Sequence, residues 1–204
     1  SDAVESDSPQ LLQQLRQRLL TTRGIHAQDD EILITLGAQN ALFITGSIFA
    51  RQGNPVAMEN PGYWGARNAF LQSGNTLIGV PVDEDGLIPS AIPAGCQLVF
   101  TTPSHQFPTM VTMSEARRKE LIAAAVEKDL IIIEDDYDVA MNAIAEPPLS
   151  LRSLDTSGRV IYVGSLSKIV SKGLRMGFIV AHRDIIRQAR IARGVMMRHP
   201  PMIV

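Results

Sequence analysis

Leu130-Ile-Ile-Ile-Glu-Asp-Asp-Tyr-Asp138 is the stretch on which the fold turns. Leu130 to Ile133 form a fully apolar run, the mark of a strand buried on both faces of a parallel sheet. Four acids in the next five residues follow it at once. Side chains alternate across a strand, so at least one of these acids faces a cleft at the strand's carboxyl end. A carboxylate there suits a cation such as a protonated pyridine nitrogen. The competing readings are a magnesium or calcium site and a solvated turn.

Working outward, the same alternation repeats. Residues 31–35, 55–58, 76–80, 98–101, 160–163 and 176–181 read as strands. Residues 38–51, 65–71, 114–128 and 183–197 carry helical patterns between and after them. Ser114 caps one helix, with Glu115 in its first turn. Upstream, Pro9 fits a first helical turn, Leu11, Leu12, Leu15 and Leu19 recur at helical spacing, and Gly24 stops the run. Residues 1–8 read as a mobile end. Strands alternating with helices predict one α/β domain over residues 1–204, a three-layer α/β/α arrangement around a mostly parallel sheet.

Composition sets bounds. The 204 residues carry 19 Lys and Arg against 21 Asp and Glu, a net charge of −2, with 45% hydrophobic and 20% charged residues. Collagen, coiled coil and bulk disorder are excluded. The apolar runs fall well short of the about 20 residues of a membrane-spanning helix. The charge argues against a whole-domain grip on nucleic acid. Cys96, the single cysteine, allows no internal disulfide and no cysteine-rich zinc site; it reads as a buried thiol. No basic and apolar leader opens the chain, and a reducing cytoplasm is the expected compartment.

Ligands of open parallel sheets sit beyond the carboxyl ends of the strands. Polar and glycine-rich residues gather at those ends. Gly37-Ala38-Gln39 lies between a strand and a helix, where free N–H groups and the helix dipole favour phosphate; a simple tight turn is the plainer reading. Gly164-Ser-Leu-Ser-Lys168, followed by Gly173-Leu-Arg175, offers a hydroxyl and a guanidinium to a phosphate and a lysine beside them. Such a lysine is a Schiff-base candidate, or else part of a solvated basic loop. Tyr63 and Trp64 can stack on a flat ring or serve as core or rim, and His105 is a further polar group at the same edge. Phosphate donors, a stacking aromatic, an acid, a tyrosine and a lysine at one edge are the parts of a pyridoxal phosphate site.

The strings Ile34-Thr-Leu-Gly-Ala-Gln-Asn-Ala-Leu42, Glu59-Asn-Pro-Gly-Tyr63, Thr102-Pro-Ser-His-Gln-Phe-Pro-Thr109, Ile133-Glu-Asp-Asp-Tyr-Asp138, Gly164-Ser-Leu-Ser-Lys168 with Gly173-Leu-Arg175, and Arg198-His-Pro-Pro201 occur in family order across nearly the whole chain. On these the chain resembles the large domain of fold-type I, pyridoxal-phosphate-dependent aminotransferases of class I/II. It is most similar to the aminotransferase-like domain of MocR-type regulators of the GntR superfamily. The resemblance implies that Lys168 is the Schiff-base lysine, that Asp135 pairs with the pyridinium nitrogen, and that Tyr137 bonds the phenolic oxygen. It implies that Tyr63 stacks on the ring and that Ala38, Gln39, Ser165 and Arg175 hold the phosphate. Asp136 and Asp138 are expected to be surface or supporting acids, and no metal is expected.

The departures are specific. Enzymes of the family usually carry Asn-Pro-Thr-Gly; here the run is Phe107-Pro-Thr-Met110, without the asparagine that contacts the ring oxygen and without the glycine. The regulator branch shares the loss of asparagine. Asp138-Val-Ala-Met-Asn142 lacks the acid and aromatics of the regulators. The resemblance covers the cofactor-binding core, with a C-terminal small domain and an N-terminal winged helix expected outside residues 1–204. It implies a homodimer, an amine or amino-acid effector, DNA contact only through the other domain, and no membrane. The alternative is a fragment of an aminotransferase that uses Lys168 in catalysis.

Overall fold

The structure, a computed structural model, describes residues 7–50, 55–137, 149–166 and 175–197. Among these residues eight strands form one sheet: β1 (Ile32–Thr35), β2 (Val56–Asn60), β3 (Leu77–Asp83), β4 (Gly86–Leu87), β5 (Leu98–Thr101), β6 (Ile131–Asp136), β7 (Val160–Ser165) and β8 (Gly177–Val180). Their order is β1-β8-β7-β6-β5-β2-β3-β4. From β7 through β6, β5 and β2 to β3 every pairing is parallel. β8 runs antiparallel to both of its neighbours, β1 and β7.

Helices cover both faces. α2 (Gly37–Phe49), α3 (Trp64–Gln72) and α6 (Arg183–Met196) lie over one face, burying Leu42, Ile44, Phe70 and Ile186 against Leu33, Met58, Phe100, Ile133 and Val163. On the other face, α1 (Pro9–Gln14) and the turns that follow it to Arg23 bury Leu12, Leu15 and Leu20 against Tyr162 and Phe178. Beside them α4 (Glu115–Glu127) packs Leu121 and Ala125 on Val99 and Ile132, with Leu151 of α5 (Leu151–Leu154). The three-layer, mostly parallel architecture read from the sequence is the one observed. Ser114 caps α4 as expected, its hydroxyl accepting from the Arg117 N–H at 3.3 Å.

Two expectations need correction. Residues 7 and 8 do not belong to a mobile end. Asp7 is buried, pairing with Arg190 and Arg193 of α6 and accepting from the Ile34 N–H. A buried carboxylate needs such partners, and two arginines on one helix face supply them. The apolar runs also understate β6 and β7. The ladder continues past Ile133 and Val163, pairing Asp135 with Val163 and Asp136 with Gly164. The acids remain in the strand because buried partners meet two of them there. Cys96 is buried, as expected, and burial raises its thiol pKa.

Candidate functional site

β1, β2, β3, β5, β6 and β7 share one direction, so their carboxyl ends lie along one edge, where β8 begins. Thr35 of β1 and Ser165 of β7 both register with Gly177 of β8, two residues after Arg175. That adjacency gathers the turn after β1, Ser165 and Arg175, segments far apart in sequence. Gly177 makes the approach close: a Cβ there would meet the Gly37 carbonyl carbon at 2.6 Å and the Ala38 nitrogen at 2.9 Å. α2 starts at Gly37 with φ 77°, and no side chain caps its first N–H groups at Leu36. Ala38 and Gln39 thus stand in the first turn of an uncapped helix, where an anion is favoured. Arg175 is exposed at the same edge.

The aromatic group sits after β2. The Gln39 Nε2 donates to the Tyr63 Oη at 2.8 Å. Tyr63 meets Phe107 edge-on at 5.7 Å between ring centroids and Trp64 at 6.2 Å. Gly65 leaves the room for this, since a Cβ there would come within 2.5 Å of Gln39 Nε2 and the Tyr63 ring. The Tyr137 Oη donates to the His105 carbonyl at 3.0 Å, tying the end of β6 to the loop after β5.

The acid run divides by strand alternation. Asp135 follows Ile133 onto the α2 face, and Glu134 and Asp136 follow Ile132 onto the other. Asp135 is buried, and among the described residues neither carboxylate oxygen has a hydrogen-bond partner. Burial, then the charges of Asp136 and Glu59, push its pKa up to about 8. An unpartnered buried carboxylate is costly unless a cation or donor meets it. Glu134 accepts from the Leu151 and Arg152 N–H groups at 2.9 Å, and burial raises its pKa to about 7. Asp136 is no surface acid: its side chain is fully buried, 2.7 Å from the Arg23 Nη2, and it accepts from the Tyr162 hydroxyl at 3.0 Å. A polar tip on a strand whose layer is closed by Arg23 has no route to water. Among the described residues no cluster of three or more His, Cys, Asp or Glu is placed to hold a metal ion. Lys168 and Asp138 lie outside the described residues.

Sequence reading missed a hub under this edge. Glu59, buried at the end of β2, accepts from the Thr101 hydroxyl (2.6 Å), the Thr102 N–H (3.0 Å), the Thr102 hydroxyl (2.7 Å) and Gln106 Nε2 (3.2 Å). Gln106 in turn donates to the Pro61 carbonyl and accepts from Thr109. Glu59 therefore joins the loops that carry Tyr63 and Phe107. The available signal was an acid ending an apolar strand, with two threonines ending the next.

Similarity to known proteins follows the same lines. The family profile described as aminotransferase class I and II matches residues 4–200. The HTH-type transcriptional regulator TauR of Rhodobacter capsulatus is 42% identical over 201 residues, 98% of this chain and 42% of its own length. The crystal structure of an archaeal alanine:glyoxylate aminotransferase superposes with a TM-score of 0.89 at 32% identity, covering 97% of this chain and 51% of that one. LysN, an α-aminoadipate aminotransferase from Thermus thermophilus solved with N-(5'-phosphopyridoxyl)-L-leucine, gives 0.80 at 32% identity, covering 98% and 51%. The chain thus spans about half or less of the length of these relatives. A profile matched over residues 4–200 and a fold shared at 32% identity place the chain in the class I and II aminotransferase family, whose cofactor is pyridoxal 5'-phosphate.

Proposed function

We propose that residues 1–204 are the pyridoxal-phosphate-binding, effector-sensing domain of a MocR/GntR-type transcriptional regulator. The observation that carries the cofactor assignment is the Asp135 carboxylate, buried at the ligand edge of the sheet with both oxygens unpartnered among the described residues. A protonated pyridine nitrogen would supply the missing partner, and the ion pair would hold Asp135 ionised. When bound, the cofactor supplies a carbonyl carbon open to amines and a ring that accepts electron density. Lys168 is assigned the amine that anchors it. Ala38, Gln39, Ser165 and Arg175 are assigned its phosphate, Tyr63 its ring face and Tyr137 its phenolic oxygen. Tyr63 arrives oriented by Gln39 and Phe107, so ring binding needs little reordering there.

The regulator reading rests on the 42% identity to TauR across 98% of the chain and on Phe107 in place of the asparagine of Asn-Pro-Thr-Gly; Met110 in place of the glycine is unusual in either branch. In this reading the domain acts in the cytoplasm as a homodimer, an amine or amino acid is the effector, and DNA is bound by a domain outside these residues. The likeness to the archaeal aminotransferase, at a TM-score of 0.89, favours a second reading as part of an aminotransferase.

The test is an absorbance spectrum of the protein with added pyridoxal phosphate, before and after borohydride, with mass spectrometry of the Lys168 peptide. A visible band and a reduced adduct on Lys168 are expected, both lost in Lys168→Ala. Arg175→Ala should weaken binding by about 1.5–3 kcal/mol, a charge-assisted hydrogen bond. An unchanged band in Lys168→Ala rejects the assignment. Effector-dependent DNA binding by the full gene product, without turnover of amino acids to keto acids, separates regulator from enzyme.

A further inference from the structure

Three consecutive acids end β6, and their surroundings differ. Asp135, the one of the three on the α2 face, has no hydrogen-bond partner among the described residues. Asp136, next to it, is held on the opposite face by Arg23, with the Tyr162 hydroxyl also donating to it. Arg23 comes from the turn that closes the N-terminal helical segment, and its Nη2 also donates to the Ser104 hydroxyl at 2.5 Å. Both side chains of this ion pair are fully buried. In so dry a place the Asp136 charge is felt strongly by a carboxylate one residue away unless a cation offsets it.

From this geometry we infer that Arg23 is a positioning residue for the cofactor acid: by offsetting Asp136 it leaves Asp135 free to ionise toward the ligand. The inference rests on the cofactor reading above for its purpose, though not for its electrostatics. Among the described residues the charged and titratable groups around Asp135 are few. Glu134 and Asp136 flank it on β6, and Glu59, on β2 across β5, acts on it through its charge. Arg23, Arg118 and Tyr162 stand beyond Asp136 and Glu134. Glu59 is saturated by four neutral donors and Glu134 by two backbone N–H groups with Arg118 Nη1 at 3.8 Å. Asp136 is therefore the neighbour whose compensation depends on a single, closely paired arginine.

The test reads the Asp135 carboxyl carbon by NMR in cofactor-free protein with carboxyl-labelled aspartate, the resonance assigned by its loss in Asp135→Asn. Wild-type protein should titrate well above an ordinary aspartate. Arg23→Met should move the midpoint up by about one pH unit or more, and Asp136→Asn should move it down. Arg23→Met/Asp136→Asn should return it to the wild-type value, and Arg23→Lys should hold it there. If Arg23→Met does not fold, Asp136→Asn and the double variant still decide. A midpoint unmoved in Asp136→Asn, or a double variant that does not return, overturns the inference. In parallel, each variant is titrated with pyridoxal phosphate and the visible band read. No band in wild type rejects the cofactor reading and leaves the NMR result standing. A band in wild type that forms equally well in Arg23→Met at neutral pH overturns the role of Arg23.

Discussion

Met110 adopts φ 64° in the loop after β5, and the residue is 57% exposed. Left-handed backbone costs a residue with a Cβ about 1–2 kcal/mol, and an exposed side chain gains little burial in return. Among the described residues the other non-glycine residue in that region, Asp129, is of a type that visits it more readily. Met110 stands where the family's usual run has glycine, and the strained φ gives that glycine a physical reason. Met110→Gly should therefore raise stability, by about 0.5–1 kcal/mol after the extra chain entropy of glycine is subtracted. Urea denaturation of the two proteins checks it, and a less stable glycine variant would show that the loop does not keep this backbone in solution. The division of labour among the β6 acids is legible only in part at this scale. Four acids in five residues announce a site, and alternation says that some face inward. Which one is left unpartnered depends on Arg23, more than a hundred residues upstream, and no local pattern encodes that pairing.

Elements carry the site by converging on Gly177. β8 enters the sheet between β1 and β7 there, with the Gly37–Ala38 backbone against its Cα. A methyl group at that point meets backbone atoms at 2.6 and 2.9 Å, which cannot rotate away. Gly177→Ala should cost about 1–3 kcal/mol of stability and also weaken cofactor binding, because the atoms displaced belong to the turn assigned to the phosphate. Gly194→Ala, on an exposed turn of α6 with no atom of the described residues within 4 Å of the new methyl, should instead stabilise by about 0.5–1 kcal/mol. Denaturation and cofactor titration of the pair check both signs, and equal effects would mean that the close approach at Gly177 is relaxed in solution. The contrast also shows what sequence pattern reaches. Strands and helices follow from runs of Ile, Val and Leu and from caps such as Ser114, so their existence was readable. The antiparallel sense of β8 and the order of strands come from tertiary pairing. The two-residue β4 and four-residue α5 are too short to leave a periodic signal.

At the scale of the whole molecule, the site is maintained against the stability of the fold. Burial raises the Glu134 carboxyl to about 7 and the Asp135 carboxyl to about 8, both above the ordinary carboxylate range. A carboxyl that binds its proton more tightly when folded stabilises the fold while protonated. Its contribution is complete below its unfolded pKa near 4 and is lost as pH rises through its folded pKa. For cofactor-free protein these two groups therefore predict stability that declines from about pH 4 to about pH 8. Asp135→Asn removes the larger contribution. It should be more stable than wild type at pH 9 by at least about 1 kcal/mol, with a flatter pH dependence. If Asp135 meets the cofactor as proposed, saturating cofactor should reverse the ranking. Ligand at a hundredfold excess over its Kd adds about 2.7 kcal/mol to a protein that binds it, and Asp135→Asn, lacking the counter-charge, should gain much less. Urea denaturation at pH 5, 7 and 9, with and without pyridoxal phosphate, measures both halves. If Asp135→Asn is the less stable protein at pH 9 without cofactor, Asp135 already has a partner within the chain. Its burial would then be explained by the fold alone, without a ligand.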